Sequence, residues 1–547
     1  ADRIDWRALR FSGDVLVLLV AWLALQRVRH AHLRTMGRIC LGLVTIVLSL
    51  YQVDVAASRV FMRHAPELYD QMFLLGHVGV LAMDLWGGWG AFGVALGLAL
   101  LLGLLVWLVR RLLRGLLPLA ARSQSLSPNE KLVVAASAAL VLLASLPAIG
   151  AVEWLTPSLA RDIGESVELS RAIASGLHDS PYKEYARLKL TRKPRVLLFF
   201  VESYGRVMAS DGSMRGLDNQ VLSRLERVLS KNGWHFASAY SEAPISGGRS
   251  WLAHASVLTG IQISYQALFQ RVFAGGHVQV PNLVSFLQGQ GYDTLLLSPV
   301  DRERPGVRVE NYYAFQRTLG AKELDYHGPT FGWGVIPDQL SMLYAHDHVL
   351  SKSREALFFM FSMVSSHAPW TNVPRIVPHG RDVNDYLRLQ MTSPVLADPK
   401  LPSQGTWFRH LERYSHALRL SGQSESRPQL RAAYARSIAY DLDLIARELV
   451  TLRGDDLVII MGDHQPPLVT AEVSDTAVPV HVLARDPNLL AELLVRGFSP
   501  GLRIPARQRA RLGHEGLFSL LVRSLALTCA PGSPPPAFLP RGQHLLH

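Results

Sequence analysis

The longest apolar runs of this 547-residue chain are confined to its first 152 residues. Three of them, at residues 39–57, 91–109 and 132–152, approach the roughly 20 residues that an α-helix needs to cross the hydrocarbon core of a bilayer. A shorter run at 15–26 favours a fourth span, with a buried or signal-like helix as the alternative. The run at 72–86 contains His77 and Asp84 and indicates a helix lying at the interface. Residues 1–154 therefore predict a transmembrane helical bundle.

The placement of arginine orients these spans, because positively charged loops remain on the cytoplasmic side. Arginines are concentrated in the connections at 27–38 and 110–131. With both loops inside, the last span delivers everything after residue 152 to the extracytoplasmic side. Residue 1 would also lie outside, which is unusual for a chain that begins with Ala1, and we expect a further span upstream. If residues 72–86 do cross the membrane, there are five spans, and the part of the chain after residue 152 still lies on the extracytoplasmic side.

The pattern changes after a polar helical linker at residues 155–194. Apolar runs at 196–201, 358–363 and 457–461 are typical of strands buried on both faces of a parallel sheet. Helical segments such as 221–229 and 434–449 lie between them. Residues 195–547 therefore predict a doubly wound α/β domain with one large, mostly parallel sheet, whose ligands bind at the carboxyl ends of the strands.

Composition excludes some classes of protein and leaves others open. With 49% hydrophobic and 18% charged residues, the chain is not a disordered one. Its two cysteines, Cys40 and Cys529, cannot form a disulfide framework. A net charge of +12 permits nucleic acid, anionic lipid or acidic glycan as a partner and does not choose among them.

Polar side chains follow two of the predicted strands at the point where each strand ends. Glu202 follows the first strand, and Asp463 and His464 follow another. Carboxylate and imidazole groups that converge beyond strand ends are suitable ligands for a divalent cation. On its residue type alone, Glu202 is more typical of a helix N-cap or surface acid, and Asp463 and His464 are as compatible with a turn that binds nothing.

Two further segments have the residue types needed to handle phosphate. Ser250 follows a Ser-Gly-Gly-Arg sequence and opens a predicted helix, where glycines let the backbone approach an anion and the helix N-terminus favours it. His367 lies just past a predicted strand, where it could donate to a phosphoryl group or shuttle a proton. A simple N-cap for Ser250 and an ordinary loop histidine for His367 are the alternatives.

Taken in order, these motifs resemble the sulfatase-type enzymes of the alkaline phosphatase superfamily, and in particular the lipoteichoic acid synthase branch of bacterial membrane phosphotransferases. The resemblance is carried by Glu-Ser-Tyr-Gly at 202–205, Gly-Arg-Ser at 248–250, Ser-Ser-His-Ala-Pro-Trp at 365–370 and Gly-Asp-His-Gln-Pro at 462–466. Ile-Pro-Asp-Gln at 336–339 and Tyr-Asp at 440–441 are also similar and are interpreted as structural. Several motifs in the right order are far more specific than any one of them.

The resemblance implies a set of roles for these residues. Glu202, Ser250, Asp463 and His464 correspond to the ligands of one divalent metal ion, which manganese, zinc or magnesium would satisfy. Ser250 also corresponds to the nucleophile, and His367 to a histidine on the substrate side.

The chain departs from the family pattern around the substrate pocket. An Asn-Arg pair is usual before the Leu-Gly pair found here at 319–320, and this chain has none there. Arg302, Arg304 and Arg308, or else Arg317, are the candidates to replace it, and Trp370 is a further candidate for substrate binding. The Cys/Ser-x-Pro-x-Arg sequence that sulfate ester hydrolysis requires is absent at Ser250, so that reaction is not expected.

The resemblance implies metal-dependent transfer of a phosphoglycerol or phosphoethanolamine unit. The donor would be a phospholipid, the intermediate a phosphoserine, and the acceptor a hydroxyl of an envelope glycan or lipid, with no nucleic acid involved. The enzyme would be a multi-pass protein of the bacterial cytoplasmic (inner) membrane, with its catalytic domain on the periplasmic side. One alternative is an extracytoplasmic phosphodiesterase or other hydrolase of the same superfamily. The other is a lipid-sensing pseudoenzyme, which should have lost a ligand or the nucleophile.

Overall fold

The fold was analysed in a computed structural model of the chain. The structure describes residues 11–26, 28–57, scattered positions between 89 and 111, 152–175, 181–273, 280–299, 312–324, 336–353, 356–368, 370, 376, 427–470 and 475–543. The chain divides into two compact units, which comprise essentially residues 3–170 and 171–547. The three-part division into residues 1–154, 155–194 and 195–547 stays a prediction.

The N-terminal unit contains a short parallel strand pair and the helices around it. The strands are β1 (Phe11–Ser12) and β2 (Val152–Glu153), and the helices are α1 (Asp14–Gln26), α2 (Ala31–Ala57) and the first part of α3 (Leu155–Ser175). Asp14 holds the start of α3, because its Oδ2 accepts a hydrogen bond from the Leu155 amide at 2.6 Å. This bond satisfies one of the amides that a helix N-terminus leaves without a partner.

One helix among the described residues is long and apolar enough to cross a membrane, namely the part of α2 over Ala31–Gln52. It meets the criterion by length and composition, which a signal sequence near an N-terminus also meets. The predicted span at 39–57 lies within α2, and that at 15–26 lies within the 13-residue α1. Of residues 91–109 only scattered helical positions are described, and residues 72–86 and 132–151 lie outside the described part. The multi-span bundle therefore stays a prediction.

The second unit alternates strands and helices as the sequence predicts. Its elements in chain order are β3 (Arg195–Val201), α4 (Val207–Ser210), α5 (Arg215–Ser230), β4 (His235–Glu242), α6 (Ser250–Thr259), α7 (Gln266–Val272), α8 (Leu283–Gly289), β5 (Asp293–Leu297), β6 (Arg317–Leu319), α9 (Asp338–Ala345), β7 (Leu357–Ser362), α10 (Arg427–Thr451), β8 (Asp456–Gly462), β9 (Ala477–Ala484), α11 (Asn488–Val495), β10 (Ser499–Pro500), β11 (Leu512–Gly513) and α12 (Gly516–Cys529).

These strands form one nine-stranded sheet in the order β10-β4-β9-β8-β3-β7-β5-β6, with β11 beside β4. β3 lies in the middle and pairs in parallel with β7 on one side and β8 on the other, so that Val201 lies opposite Gly462. The strands predicted at 196–201, 358–363 and 457–461 are thus confirmed as parallel neighbours. The sheet as a whole is mixed, because β9 runs antiparallel to both β8 and β4, and β10 runs antiparallel to β4.

Both faces of the central strands are covered, which explains why β3 is an unbroken apolar run. Leu197, Phe199 and Val201 belong to the core that the helices α5 and α10 share with the sheet. Phe200 is equally buried, points to the other face because side chains alternate along a strand, and stacks on His254 of α6 with ring centroids 4.2 Å apart. The carboxyl ends of β3, β7 and β8 consequently meet at one edge.

Candidate active site

Two turns that follow neighbouring strands meet at this edge. Glu202 comes directly after β3 and Asp463 directly after β8, and the Ser203 amide donates to Asp463 Oδ1 at 2.7 Å. Ser203 is in the left-handed region with φ 59°, which turns the chain sharply after Glu202. Gly462 lets the turns approach, because a Cβ there would lie 2.0 Å from the Tyr204 carbonyl oxygen. The two acids therefore come together through backbone geometry.

Glu202, Asp463 and His464 form a cluster suited to hold a metal ion. One ligand atom from each residue lies within 4.8 Å of the others, and all three residues are buried. Asp463 Oδ2 accepts no hydrogen bond from the described residues and faces His464 Nε2 at 3.5 Å. The other imidazole nitrogen, Nδ1, donates to the Gln465 carbonyl at 3.0 Å, which aims Nε2 at the carboxylates. The donor set and the orphaned oxygen fit a divalent cation.

The electrostatics of the cluster favour positive charge at its centre. Burial first, and then the negative charge of Glu202, raise the pKa of Asp463 to about 7. Burial opposes ionisation of His464, but the carboxylates of Asp463 and Glu202 outweigh it and raise this pKa to about 9. Burial likewise opposes ionisation of Glu202, yet His464 and His367 hold its pKa well below the usual range. Buried carboxylates that stabilise a neighbouring cation are what a metal site requires.

Ser250 lies beside this cluster at the first residue of α6. Its Oγ donates to Glu202 Oε2 at 2.9 Å and lies 3.3 Å from His464 Nε2. The preceding loop has three consecutive positive φ angles, 140° at Gly247, 61° at Gly248 and 57° at Arg249. This conformation brings the serine into the site while leaving it half-buried, at a helix end whose amides and dipole favour an anion.

Two residues that hold the Glu202 turn were not singled out from the sequence. The Tyr434 hydroxyl, from α10, donates to the Ser203 carbonyl at 2.8 Å and accepts from the Gly205 amide at 3.1 Å. Ser366 Oγ donates to the Glu202 carbonyl at 2.7 Å. Ser366 lies inside the Ser-Ser-His-Ala-Pro-Trp motif at 365–370. Tyr434 is 231 positions from Ser203, and no sequence pattern near it indicates this contact.

The remaining predicted site residues divide into three cases. His367 is half-buried after β7 and close enough to Glu202 to help lower its pKa. Trp370 is only 4% exposed, packs on Tyr434 and donates from Nε1 to the Ser366 carbonyl, so it supports the His367 loop from the core. Its predicted contact with substrate stays a prediction. The segment containing Arg302, Arg304 and Arg308 lies outside the described residues.

Fold and site together define an α/β domain with a candidate metal centre at the carboxyl ends of its central strands. A profile of the sulfatase family matches residues 194–486, which is more than half of the chain. The chain therefore belongs to the sulfatase family. Comparison with curated protein sequences gives no match.

Several solved structures are distantly similar to the chain. The lipoteichoic acid synthase LtaP from Listeria monocytogenes is 13% identical, with 55% of this chain and 69% of that one covered and a TM-score of 0.35. The Streptococcus pyogenes phosphoglycerol transferase GacH, in complex with sn-glycerol-1-phosphate, is 14% identical, with 58% and 75% covered and a TM-score of 0.36. The zinc complex of the C-terminal periplasmic domain of EptC from Escherichia coli is 11% identical, with 60% and 81% covered and a TM-score of 0.34.

Proposed function

We propose that this protein is a metal-dependent phosphotransferase that moves a phosphoglycerol or phosphoethanolamine unit from a phospholipid to a hydroxyl of an envelope glycan or lipid. The observation that carries the proposal is the position of the Ser250 hydroxyl. It lies at a helix N-terminus and is hydrogen-bonded to Glu202 within a buried Glu-Asp-His cluster. Membership of the sulfatase family supports the same chemistry. Ser250 is the proposed nucleophile, and Glu202, Ser250, Asp463 and His464 are the proposed metal ligands.

The proposed reaction has two balanced steps. Ser250 Oγ forms a bond to the phosphorus of the phospholipid, the bond from phosphorus to the diacylglycerol oxygen breaks, and the hydroxyl proton ends on that oxygen. The acceptor oxygen then bonds to phosphorus, the bond to Ser250 Oγ breaks, and the acceptor proton returns to the serine. Glu202, Asp463 and His464 would hold a divalent cation, which would supply a Lewis acid to stabilise charge on the phosphoryl oxygens.

The chain's own residues orient these steps. The hydrogen bond to Glu202 Oε2 fixes the direction of the Ser250 hydroxyl before attack. The amides at the start of α6 face the transferred group and favour its negative charge. His367, which is close enough to Glu202 to lower the pKa of that carboxyl, is the proposed donor to a phosphoryl oxygen.

We also propose that the catalytic unit works at the outer face of a bacterial cytoplasmic membrane. The apolar helix over Ala31–Gln52 supports anchoring, because its length and composition suit a bilayer span. A membrane-held site would lie beside the headgroups that donate. Accessibility of the catalytic unit to protease added to intact spheroplasts tests this placement, and protection by the membrane would contradict it.

The test of the reaction is the intact mass of the full-length protein in detergent. The protein is incubated with manganese, zinc or magnesium and, separately, with phosphatidylglycerol or phosphatidylethanolamine. A glycerophosphate or phosphoethanolamine adduct on the wild type, lost in Ser250→Ala, identifies the nucleophile and the donor. Ser230→Ala, at an exposed serine that ends α5, is the matched control and should keep the adduct.

The release of diacylglycerol separates the remaining outcomes. We expect Ser250→Ala to lower this release by about a thousandfold or more, as for other catalytic nucleophiles. Steady release with water as the only acceptor would replace the transferase with a phosphodiesterase of the same family. No adduct and no release with any of the three metals would refute the reaction for these donors and favour a lipid-binding role.

A further inference from the structure

A pair of buried carboxyl groups lies under the loop that carries His367. Asp338 is the first residue of α9 and Asp441 lies in α10, and both side chains are completely buried. The two carboxyls lie close enough for each to shift the pKa of the other. Neither residue belongs to the cluster around Ser250.

Asp338 ties this loop to α9 through three hydrogen bonds. Its Oδ2 accepts from the amides of Val364 and Ser365, at 2.8 and 2.6 Å, and its own amide donates to Ser365 Oγ at 3.0 Å. A carboxylate that accepts two amide hydrogens fixes the backbone more firmly than a neutral acceptor would. The turn at 364–367 is therefore built on Asp338.

The same turn contacts the candidate active site directly. The His367 amide donates to the Val364 carbonyl at 3.0 Å, which closes the turn. Its third residue, Ser366, donates from Oγ to the Glu202 carbonyl. A movement of the turn away from α9 would thus carry both His367 and the support of Glu202 with it.

The carboxyl pair can be buried only if it holds a proton. Asp338 Oδ1 and both oxygens of Asp441 accept no hydrogen bond from the described residues by the usual distance and angle criteria. Two adjacent carboxylates without a counter-ion repel each other and lose their hydration, so one of them stays protonated. Burial raises the pKa of Asp338 to about 6, and burial together with the charge of Asp338 raises the pKa of Asp441 well above its usual range.

Apart from the other carboxyl, the groups with the largest effects on the pKa values of Asp338 and Asp441 are uncharged. They are the amides of Val364 and Ser365 on the Asp338 side and the amide and hydroxyl of Ser366 on the Asp441 side. Elsewhere along α10, Glu448 pairs with His346 at 2.9 Å, Asp443 with Arg224 at 2.5 Å and Arg431 with Asp211 at 3.3 Å.

We propose that Asp338 and Asp441 are positioning residues for the active site, which share one proton and thereby lock the turn at 364–367 in place beside Glu202. The role as positioning residues rests on the proposed function, whereas the lock itself is a property of the fold. When the turn is locked, the buried carboxyl pair keeps its proton. When the turn opens, the pair becomes hydrated and loses the proton. A rise in pH therefore favours the open turn.

The direction of the pH effect follows from linkage. A carboxyl whose pKa is raised in the closed state stabilises that state fully below its ordinary pKa of about 4 and loses this contribution as pH rises towards the raised pKa. One linked proton weakens closure by up to about tenfold per pH unit over that window. Hydrogen exchange of the amides at 362–367 measures this opening without any need for catalysis.

The experiment compares three variants of the full-length protein with the wild type between about pH 5 and about pH 8. The rate of amide hydrogen exchange is corrected for its intrinsic dependence on pH. The wild-type turn should lose protection as pH rises. Asp441→Asn keeps the shape of the pair but cannot ionise at residue 441, so the pH slope should become smaller and retain only the titration of Asp338, whose pKa is about 6. Asp338→Ala removes the acceptor of two amides and should leave the turn weakly protected at every pH. Asp218→Asn, at a buried acid of α5 outside this contact, should keep the wild-type slope.

An unchanged slope in Asp441→Asn, or full protection in Asp338→Ala, would overturn the shared proton lock. These outcomes do not depend on whether the protein transfers headgroups. Where diacylglycerol release is measurable, Asp441→Asn should also shift the alkaline limb of its pH profile upwards. A purely structural role would lower activity equally at all pH values, and that result would overturn the assignment of the pair as positioning residues.

Discussion

At the scale of single residues, the site depends on one chemical property, the gathering of buried ligand atoms within 4.8 Å of one another. Glu202, Asp463 and His464 are buried together, and each is aimed by a bond to the backbone or to a serine. The sequence predicted these residues because several motifs occur in the right order, although each strand end by itself was compatible with a residue that binds nothing. Their mutual distances could not be predicted, because they depend on the left-handed turn at Ser203 and on the clamp from Tyr434.

Replacing Glu202 tests the ligand set directly. Glu202→Gln keeps the size of the side chain but removes the charge that favours a cation, so we expect affinity for a divalent ion to fall about tenfold or more. Equilibrium dialysis with elemental analysis measures the bound metal. Glu242→Gln, at an acid on β4 that pairs with Arg541 at the surface, is the control. Equal metal binding by both variants would remove Glu202 from the ligand set.

At the scale of elements, the predicted and observed strands agree closely at the centre of the sheet. The apolar runs at 196–201 and 457–461 are strands because they are buried on both faces, and the hydrophobic pattern reports that burial. The antiparallel direction of β9 between β8 and β4 was not predicted. Pairing direction depends on the path of the connecting segments, which no local pattern of apolar residues encodes.

A single added methyl group tests the close approach of the two ligand-bearing turns. Gly462→Ala would place a Cβ 2.0 Å from the Tyr204 carbonyl oxygen, so the turns must separate. We expect a loss of about 1–3 kcal/mol of unfolding free energy, typical of overpacking, together with weaker metal binding. Urea denaturation measures the first effect. Gly212→Ala, where an added Cβ meets nothing within 4 Å, should change neither property.

At the scale of the whole molecule, stability is linked to pH through buried acids outside the Glu202, Asp463 and His464 cluster. Asp218 of α5 is an example, because burial raises its pKa to about 7. Its contribution to stability is complete below the unfolded pKa of about 4 and is lost as pH rises towards 7. The folded protein should therefore tolerate mildly acidic conditions better than neutral ones with respect to this group.

Asp218→Asn removes this dependence. Relative to the wild type, its free energy of unfolding should rise with pH by up to about 1.4 kcal/mol per pH unit between about pH 4 and pH 7. Denaturation curves at several pH values measure the difference. Parallel curves for the two proteins over this range would mean that Asp218 is hydrated and ionised in the folded state.

The order of the strands in space differs greatly from their order along the chain. Glu202 follows β3, the first strand of the α/β unit. Asp463 follows β8, and its side chain accepts a hydrogen bond from the amide of Ser203, which lies 260 positions earlier in the chain. During synthesis the chain emerges from its N-terminus, so a half-made domain exposes one carboxylate without the partners that would make it a chelator. Under the proposed ligand set, metal binding consequently waits for the finished domain and for whichever compartment that domain reaches.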